Sequence, residues 1–248
     1  MTYTCYELHL CGLSRTFCPW MFHVKQIPDH LLDAVSTIFG NRTNLAELYH
    51  EFLSTEGLTR GVIGPREVER LWDRHILNSA VIQSMIAEGS TVVDVGSGGG
   101  LPGIPLAIAR PDLHVTLVEP MLRRTVFLAE FVEKSGLDVT VLRGRAEDKT
   151  IVQDAGGADV VTSRAVAPLL KLLRWSLPLV RPGGEVVAIK GASVQDEIDR
   201  DRKGFRSLGV SDVEIVQCGA DVLDVPTTVV RIRKEQRQRS RHREQKRS

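Results

Sequence analysis

The residues that could do chemistry gather at the ends of short apolar runs. Asp94 closes the run Thr91-Val92-Val93 and is followed by Gly96, Gly98, Gly99 and Gly100. Glycine at that density brings bare backbone N–H groups close to a ligand. Three readings fit the stretch. Gly98-x-Gly100-x-x-Gly103 satisfies the dinucleotide fingerprint by count. Asp94-x-Gly96-x-Gly98-x-Gly100 sets an acid at the strand end ahead of alternating glycines. A tight strand-to-helix turn with no ligand is the third. Glu119 ends the run Leu117-Val118, where a carboxylate can accept both hydroxyls of an adenosine ribose, whichever reaction the adenosine serves. Ala146, Glu147 and Asp148 follow a third run and read, as bare residues, as a helix start with acid in its first turn. Arg164 follows Val161-Thr162-Ser163 and brings a fixed cation with five donors. Arg123, Arg124 and Lys190 fall at the ends of the second and fifth runs, where phosphate contacts are expected.

Parallel strands alternating with helices would place these residues along one edge. The spacing predicts strands near 91–95, 114–118, 138–142, 159–162 and 185–190, with helices near 103–110, 121–135, 146–153 and 165–180. Pro102 suits the first turn of the helix after the glycines, and Pro182-Gly183-Gly184 is expected to turn the chain into the fifth strand. A helix near 194–207 and strands near 212–217 and 227–233 follow, the last two as an antiparallel pair. Upstream, apolar residues recur at helical spacing through 29–57 and 66–86. The organisation expected is a leader at 1–27, a helical cap at 28–88, a sheet domain at 89–234 and a basic, disordered tail at 235–248. Met21 is a candidate start of translation.

Composition narrows the class. The 248 residues are 42% hydrophobic and 25% charged, as in ordinary globular domains. No stretch approaches the apolar length of a membrane span, and nothing reads as a signal peptide. Cys5, Cys11, Cys18 and Cys218 match neither a zinc pattern nor a disulfide framework, so no metal is expected and a cytoplasmic home is. The net charge of +1 hides an asymmetry. From Arg231 onward there are nine Lys/Arg against two Glu, behind a mildly acidic body. Such a tail is either a solvated end or a flexible phosphate-binding arm.

The acid followed by alternating glycines resembles the first motif of class I S-adenosylmethionine-dependent methyltransferases. That implies an α/β, Rossmann-like sheet of about seven strands carrying the helical cap. In such enzymes the loop after the third strand covers the adenine. The Asn/Asp-Pro-Pro-Tyr motif of many amine methyltransferases is absent from the end of the fourth strand. Asp94-Val-Gly-Ser-Gly-Gly-Gly-Leu-Pro-Gly-Ile-Pro, Arg145-Ala-Glu, Ser163-Arg-Ala and Arg74-His-Ile-Leu-Asn-Ser together resemble the 16S ribosomal RNA (guanine-N7)-methyltransferase G family over about residues 40–233.

The resemblance implies methyl transfer from S-adenosylmethionine to N7 of a guanine in the 530 loop of 16S rRNA, free or in the 30S subunit, by a monomer. It puts cofactor contacts on Gly96, Leu101, Ala146, Glu147 and Arg164, beside Asp94, Gly98 and Glu119. RNA contacts are expected at Arg123, Arg124 and Lys190, and His75 as a residue packing or hydrogen-bonding the cap to the sheet. The chain has Gly57-Leu58-Thr59 where the family often has Asn-Leu-Thr. A dinucleotide oxidoreductase and a non-catalytic RNA-binding module are the competing functions.

Overall fold

The computed structural model describes residues 27–235 except 211. The leader and the tail fall outside those residues but for one residue each. The cap runs through short helical segments, α1 (Leu32–Phe39), α2 (Thr43–Phe52) and, after helical turns at Pro65–Arg70 and Leu71–Leu77, α3 (Asn78–Ala80). The sheet then alternates β1 (Thr91–Val95), α4 (Gly103–Ala109), β2 (His114–Glu119), α5 (Leu122–Ser135), β3 (Val139–Arg143), α6 (Lys149–Ala155), β4 (Ala158–Arg164), α7 (Leu169–Ser176) and β5 (Val180–Ile189). It ends in α8 (Val194–Ser207), β6 (Glu214–Cys218) and β7 (Thr227–Arg233).

The strand order is β3-β2-β1-β4-β5-β7-β6. β1 through β5 pair in parallel, and β7 pairs antiparallel with both β5 and β6. The order reverses between β1 and β4, and crevices that bind ligands in such sheets open outside the strand C-termini at that switch point. Asp94, Glu119 and Arg164 all lie at or next to those ends.

Alternation along each strand splits the core in two. Val92 faces the cap, α4 and α5, where Tyr49, Phe52, Phe127 and Phe131 pack together with ring centroids 4.6–5.3 Å apart. Val93 and Val95 face the opposite layer, built on Ile151 of α6, Leu172 of α7 and Phe205 of α8. The cap therefore covers the same face as α4 and α5.

Four boundaries differ from expectation. Pro102 stands just before α4, with a cis Leu101–Pro102 bond, rather than inside its first turn. α6 starts at Lys149, because Asp148 accepts the Arg145 N–H at 2.9 Å and holds 145–148 as a turn. α7 starts only after Pro168, which leaves 165–167 as a bent segment beside the crevice. β5 begins at Val180 and takes in Pro182-Gly183-Gly184, with a shift of register between Ala158↔Val180 and Val160↔Glu185. No helix among the described residues is long and apolar enough to cross a membrane.

Candidate functional site

Three spaces adjoin along the strand C-termini. An apolar pocket of about 200 Å³ is lined by Val95, Val118, Ala146, Glu147, Val166 and Trp175. It shares Gly96, Pro120 and Val166 with a cleft of about 460 Å³ over the glycine loop. That cleft adds Gly98, Leu101, Glu119, Arg124 and Arg164 to its walls. Arg164 and Ala165 in turn line a cavity of about 690 Å³ beneath the cap.

The glycine loop is held from below and from the side. Asp94 is fully buried, and its Oδ2 accepts the Gly103 N–H at 3.1 Å. A side chain on Gly103 would run into Leu117 Cδ2, so the close seat of helix α4 on β2 depends on that position being bare. Burial, opposed by the Gly103 amide, pushes the Asp94 carboxyl up to about 7. Its Oδ1 has no hydrogen-bond partner. From the cap, the Tyr49 hydroxyl donates to the Gly99 carbonyl at 2.8 Å. Gly96 has φ +71°, and a Cβ there would meet Val166 Cγ2 at 2.8 Å, so the loop closes against the residues after β4.

Glu119 accepts the Gly98 N–H on one oxygen and the Met121 N–H on the other, both at 2.9 Å. The carboxylate is 2% exposed and fixed in the cleft wall, with lone pairs left over for a ligand's hydroxyls. Arg124 approaches it to 3.9 Å.

Arg164 is held by the cap. Its guanidinium lies 2.7 Å from His75 Nδ1 and donates to the Ser79 hydroxyl at 3.3 Å. Arginine only donates, so His75 Nδ1 must accept and the ring proton sits on Nε2, which donates to Glu67 at 2.7 Å. Burial, and then the Arg164 charge, lower the His75 pKa. Ala165, next in sequence, has φ +52°, a conformation uncommon for a residue with a Cβ.

The positions expected to hold a cofactor thus meet in one continuous site, with one difference. Asp94 lies under the loop and does not line the cleft. The expected RNA residues do not assemble. Arg123 is exposed on α5, while Arg124 turns into the cleft beside Glu119. Lys190 lines the cavity beneath the cap. Its ammonium pairs with Glu197 at 2.9 Å and donates to the Ala167 carbonyl at 3.0 Å, and its side chain is only 9% exposed. Its charge is neutralised within the fold. The periodicity of the cap concealed Tyr49 and Ser79, whose partners lie 50 and 85 positions away, and Glu67, which reads as an ordinary helical residue although its partner His75 is only 8 positions on. Trp175 was likewise hidden inside α7.

The model of the family described as rRNA small subunit methyltransferase G matches residues 42–225. A relative from Rhodococcus jostii strain RHA1, "Ribosomal RNA small subunit methyltransferase G", is 60% identical over 208 residues, covering 84% of this chain and 92% of its own. The chain belongs to the rRNA small subunit methyltransferase G family. A family relative of the same name from Mycobacterium marinum is 55% identical, over 80% of this chain and 87% of its own. Among solved structures, a putative S-adenosyl-L-methionine-dependent methyltransferase from Methanococcus maripaludis superposes with TM-score 0.51 at 15% identity, covering 79% of this chain and 94% of that one. A methyltransferase from Pyrococcus furiosus gives 0.50 at 17%, covering 62% and 80%. These show the methyltransferase fold, as expected from the sequence.

Proposed function

We propose that this protein transfers a methyl group from S-adenosylmethionine to N7 of a guanine in the 530 loop of 16S rRNA, in the cytoplasm. Family membership over most of the chain carries the reaction class and the ribosomal substrate. The site fits the cofactor. An apolar pocket suits the adenine, with Ala146 and Glu147 at its wall. Glu119 suits the ribose hydroxyls, and the backbone at Gly96 and Gly98 lets the amino-acid part lie close. Asp94 supports that backbone from beneath the loop, through its bond to the Gly103 N–H, and does not itself face the cleft. Arg164 suits the cofactor's carboxylate, and Leu101 adds an apolar contact.

When bound, S-adenosylmethionine supplies a methyl on a sulfonium, which an in-plane N7 lone pair can accept without first losing a proton. The chain therefore needs no strong general base. Glu119 is committed to two amides, and His75 is locked between Arg164 and Glu67. The work left to these residues is orientation, which in favourable cases lowers a barrier by roughly 7–11 kcal/mol. Arg164 acts as a binding cation, because an uncompensated positive charge beside the methylated, cationic base would oppose the reaction.

The test is single-turnover methyl transfer to purified 30S subunits lacking the modification, with Gly96→Asp as control and the methylated atom mapped. N7 methylation of a 530-loop guanine is expected. A methyl on another atom or another rRNA segment overturns the assignment. A cofactor-binding protein that transfers nothing to 30S subunits or to naked 16S rRNA would be the non-catalytic RNA-binding module instead.

A further inference from the structure

A cavity of about 690 Å³ lies between the cap and the C-terminal edge of the sheet. Its size falls within the roughly 300–1,000 Å³ of small-ligand sites, enough for a nucleotide. It meets the glycine-loop cleft at Arg164 and Ala165, which line both. Anything entering from the cap side therefore arrives at the end of β4, next to the space assigned to the cofactor.

The lining of this cavity sets four cations, Arg70, Arg74, Arg164 and Lys190, against three carboxylates, Asp73, Glu197 and Asp224, and Asp73 accepts the Arg74 backbone N–H. Lys190 is paired with Glu197, and Arg164, oriented by His75 and Ser79, faces the space assigned to the cofactor's carboxylate. Arg70 and Arg74, by contrast, are exposed, line the cavity from the cap and belong to no ion pair among the described residues. Arg74 also faces like charge, since burial and then repulsion from Arg74 pull the Arg164 guanidinium below its ordinary value. Two unpaired guanidiniums at the mouth of a deep cavity, beside a third that is buried, make a site for a polyanion. Guanidinium forks match phosphate geometry. Arg66 is exposed on the same helical run but does not line the cavity.

We propose that Arg70 and Arg74 bind the phosphates flanking the target nucleotide of single-stranded rRNA, and that its base enters the cavity behind them. This rests on the function proposed above. It moves the RNA contact from Arg123, Arg124 and Lys190 to the cap. Each phosphate contact on a single strand contributes about 0.7 to the slope of log affinity against log salt. Losing both arginines should lower that slope by about 1.4.

The experiment compares wild type, Arg70→Gln/Arg74→Gln and Arg66→Gln. The readouts are the 30S concentration giving half-maximal single-turnover methylation across a salt series, and S-adenosylhomocysteine affinity by calorimetry. The double variant is expected to need about tenfold more 30S, with a shallower salt slope and cofactor-product affinity within twofold. Arg66→Gln is expected to match wild type. The proposal is overturned if the double variant keeps the wild-type 30S dependence, if Arg66→Gln loses as much, or if S-adenosylhomocysteine affinity falls in parallel. A wild-type enzyme that does not methylate 30S subunits would sink the functional reading instead, which keeps the two failures apart.

Discussion

His75 Nδ1 accepts a hydrogen bond from the Arg164 guanidinium at 2.7 Å, so a cap residue fixes the orientation of a cation at the end of β4. The bond requires a neutral ring, because a protonated Nδ1 would point an N–H at an arginine. Glu67 faces the other ring nitrogen, and Arg74 adds a like charge nearby. His75 has a folded pKa below its unfolded value of about 6.5. Its contribution to the fold is thus present above that value and lost as pH falls through the folded pKa. The unfolded chain takes up the proton first. Wild-type affinity for S-adenosylmethionine should weaken on the acid side. His75→Ala should raise KM for the cofactor several-fold with a smaller change in kcat. His75→Asn, whose side-chain oxygen can replace Nδ1 as acceptor, should restore KM and flatten the acid limb. A KM that stays at the wild-type value in His75→Ala would show that Arg164 needs no such support.

Asp94 gives the opposite sign. Burial raises its folded pKa to about 7, well above the unfolded value of about 3.9. Between those values the folded state holds the proton more tightly, so stability present at acid pH is lost as pH rises through about 7. The loss in the cofactor-free protein should be on the order of a few kcal/mol. Asp94→Asn keeps an acceptor for the Gly103 amide and removes the titration. The difference in urea midpoint between Asp94→Asn and wild type should therefore grow from pH 4 to pH 8 in favour of the variant. A difference that is flat with pH would mean that Asp94 stays ionised.

Two glycines of one loop should fail in different ways. Gly96→Ala adds a methyl against Val166 at positive φ, on the wall shared by the adenine pocket and the cleft. It should abolish S-adenosylhomocysteine binding in calorimetry with a modest change in melting temperature. Gly103→Ala drives a methyl into Leu117 and toward Asp94 Oδ2, inside the core. It should cost about 1–3 kcal/mol of stability, as overpacking does. Equal loss of binding and stability in both would deny the division between a ligand wall and a packing contact.

The succession of strands along the chain, and the placement of Asp94, Glu119 and Arg164 at their ends, were legible because hydrophobic runs and glycine turns are local signals. Arg145 to Asp148 misled because its acids look like a helix start, whereas Asp148 bonds back to Arg145 and delays the helix. Lys190 looked free for the same reason. Its position at a strand end is local, but its partner Glu197 is on α8, and only the fold brings them to 2.9 Å. The cap's contacts, Tyr49 to Gly99 and His75 to Arg164, join segments 50 and 89 residues apart, and no periodicity encodes them.

That reassignment of Lys190 can be checked directly. Glu197 Oε2 receives the Lys190 ammonium and also the Leu169 N–H at 2.7 Å, so the pair ties β5 and α8 to the start of α7. Lys190→Met leaves Glu197 with the amide alone in a mostly buried setting. It should cost on the order of 2–3 kcal/mol in urea unfolding. Adding Glu197→Gln removes the uncompensated charge and should recover part of that loss. The salt slope of 30S binding should stay at the wild-type value in Lys190→Met, unlike in the Arg70/Arg74 variant. A slope reduced by about 0.7 with unchanged stability would instead make Lys190 a phosphate ligand.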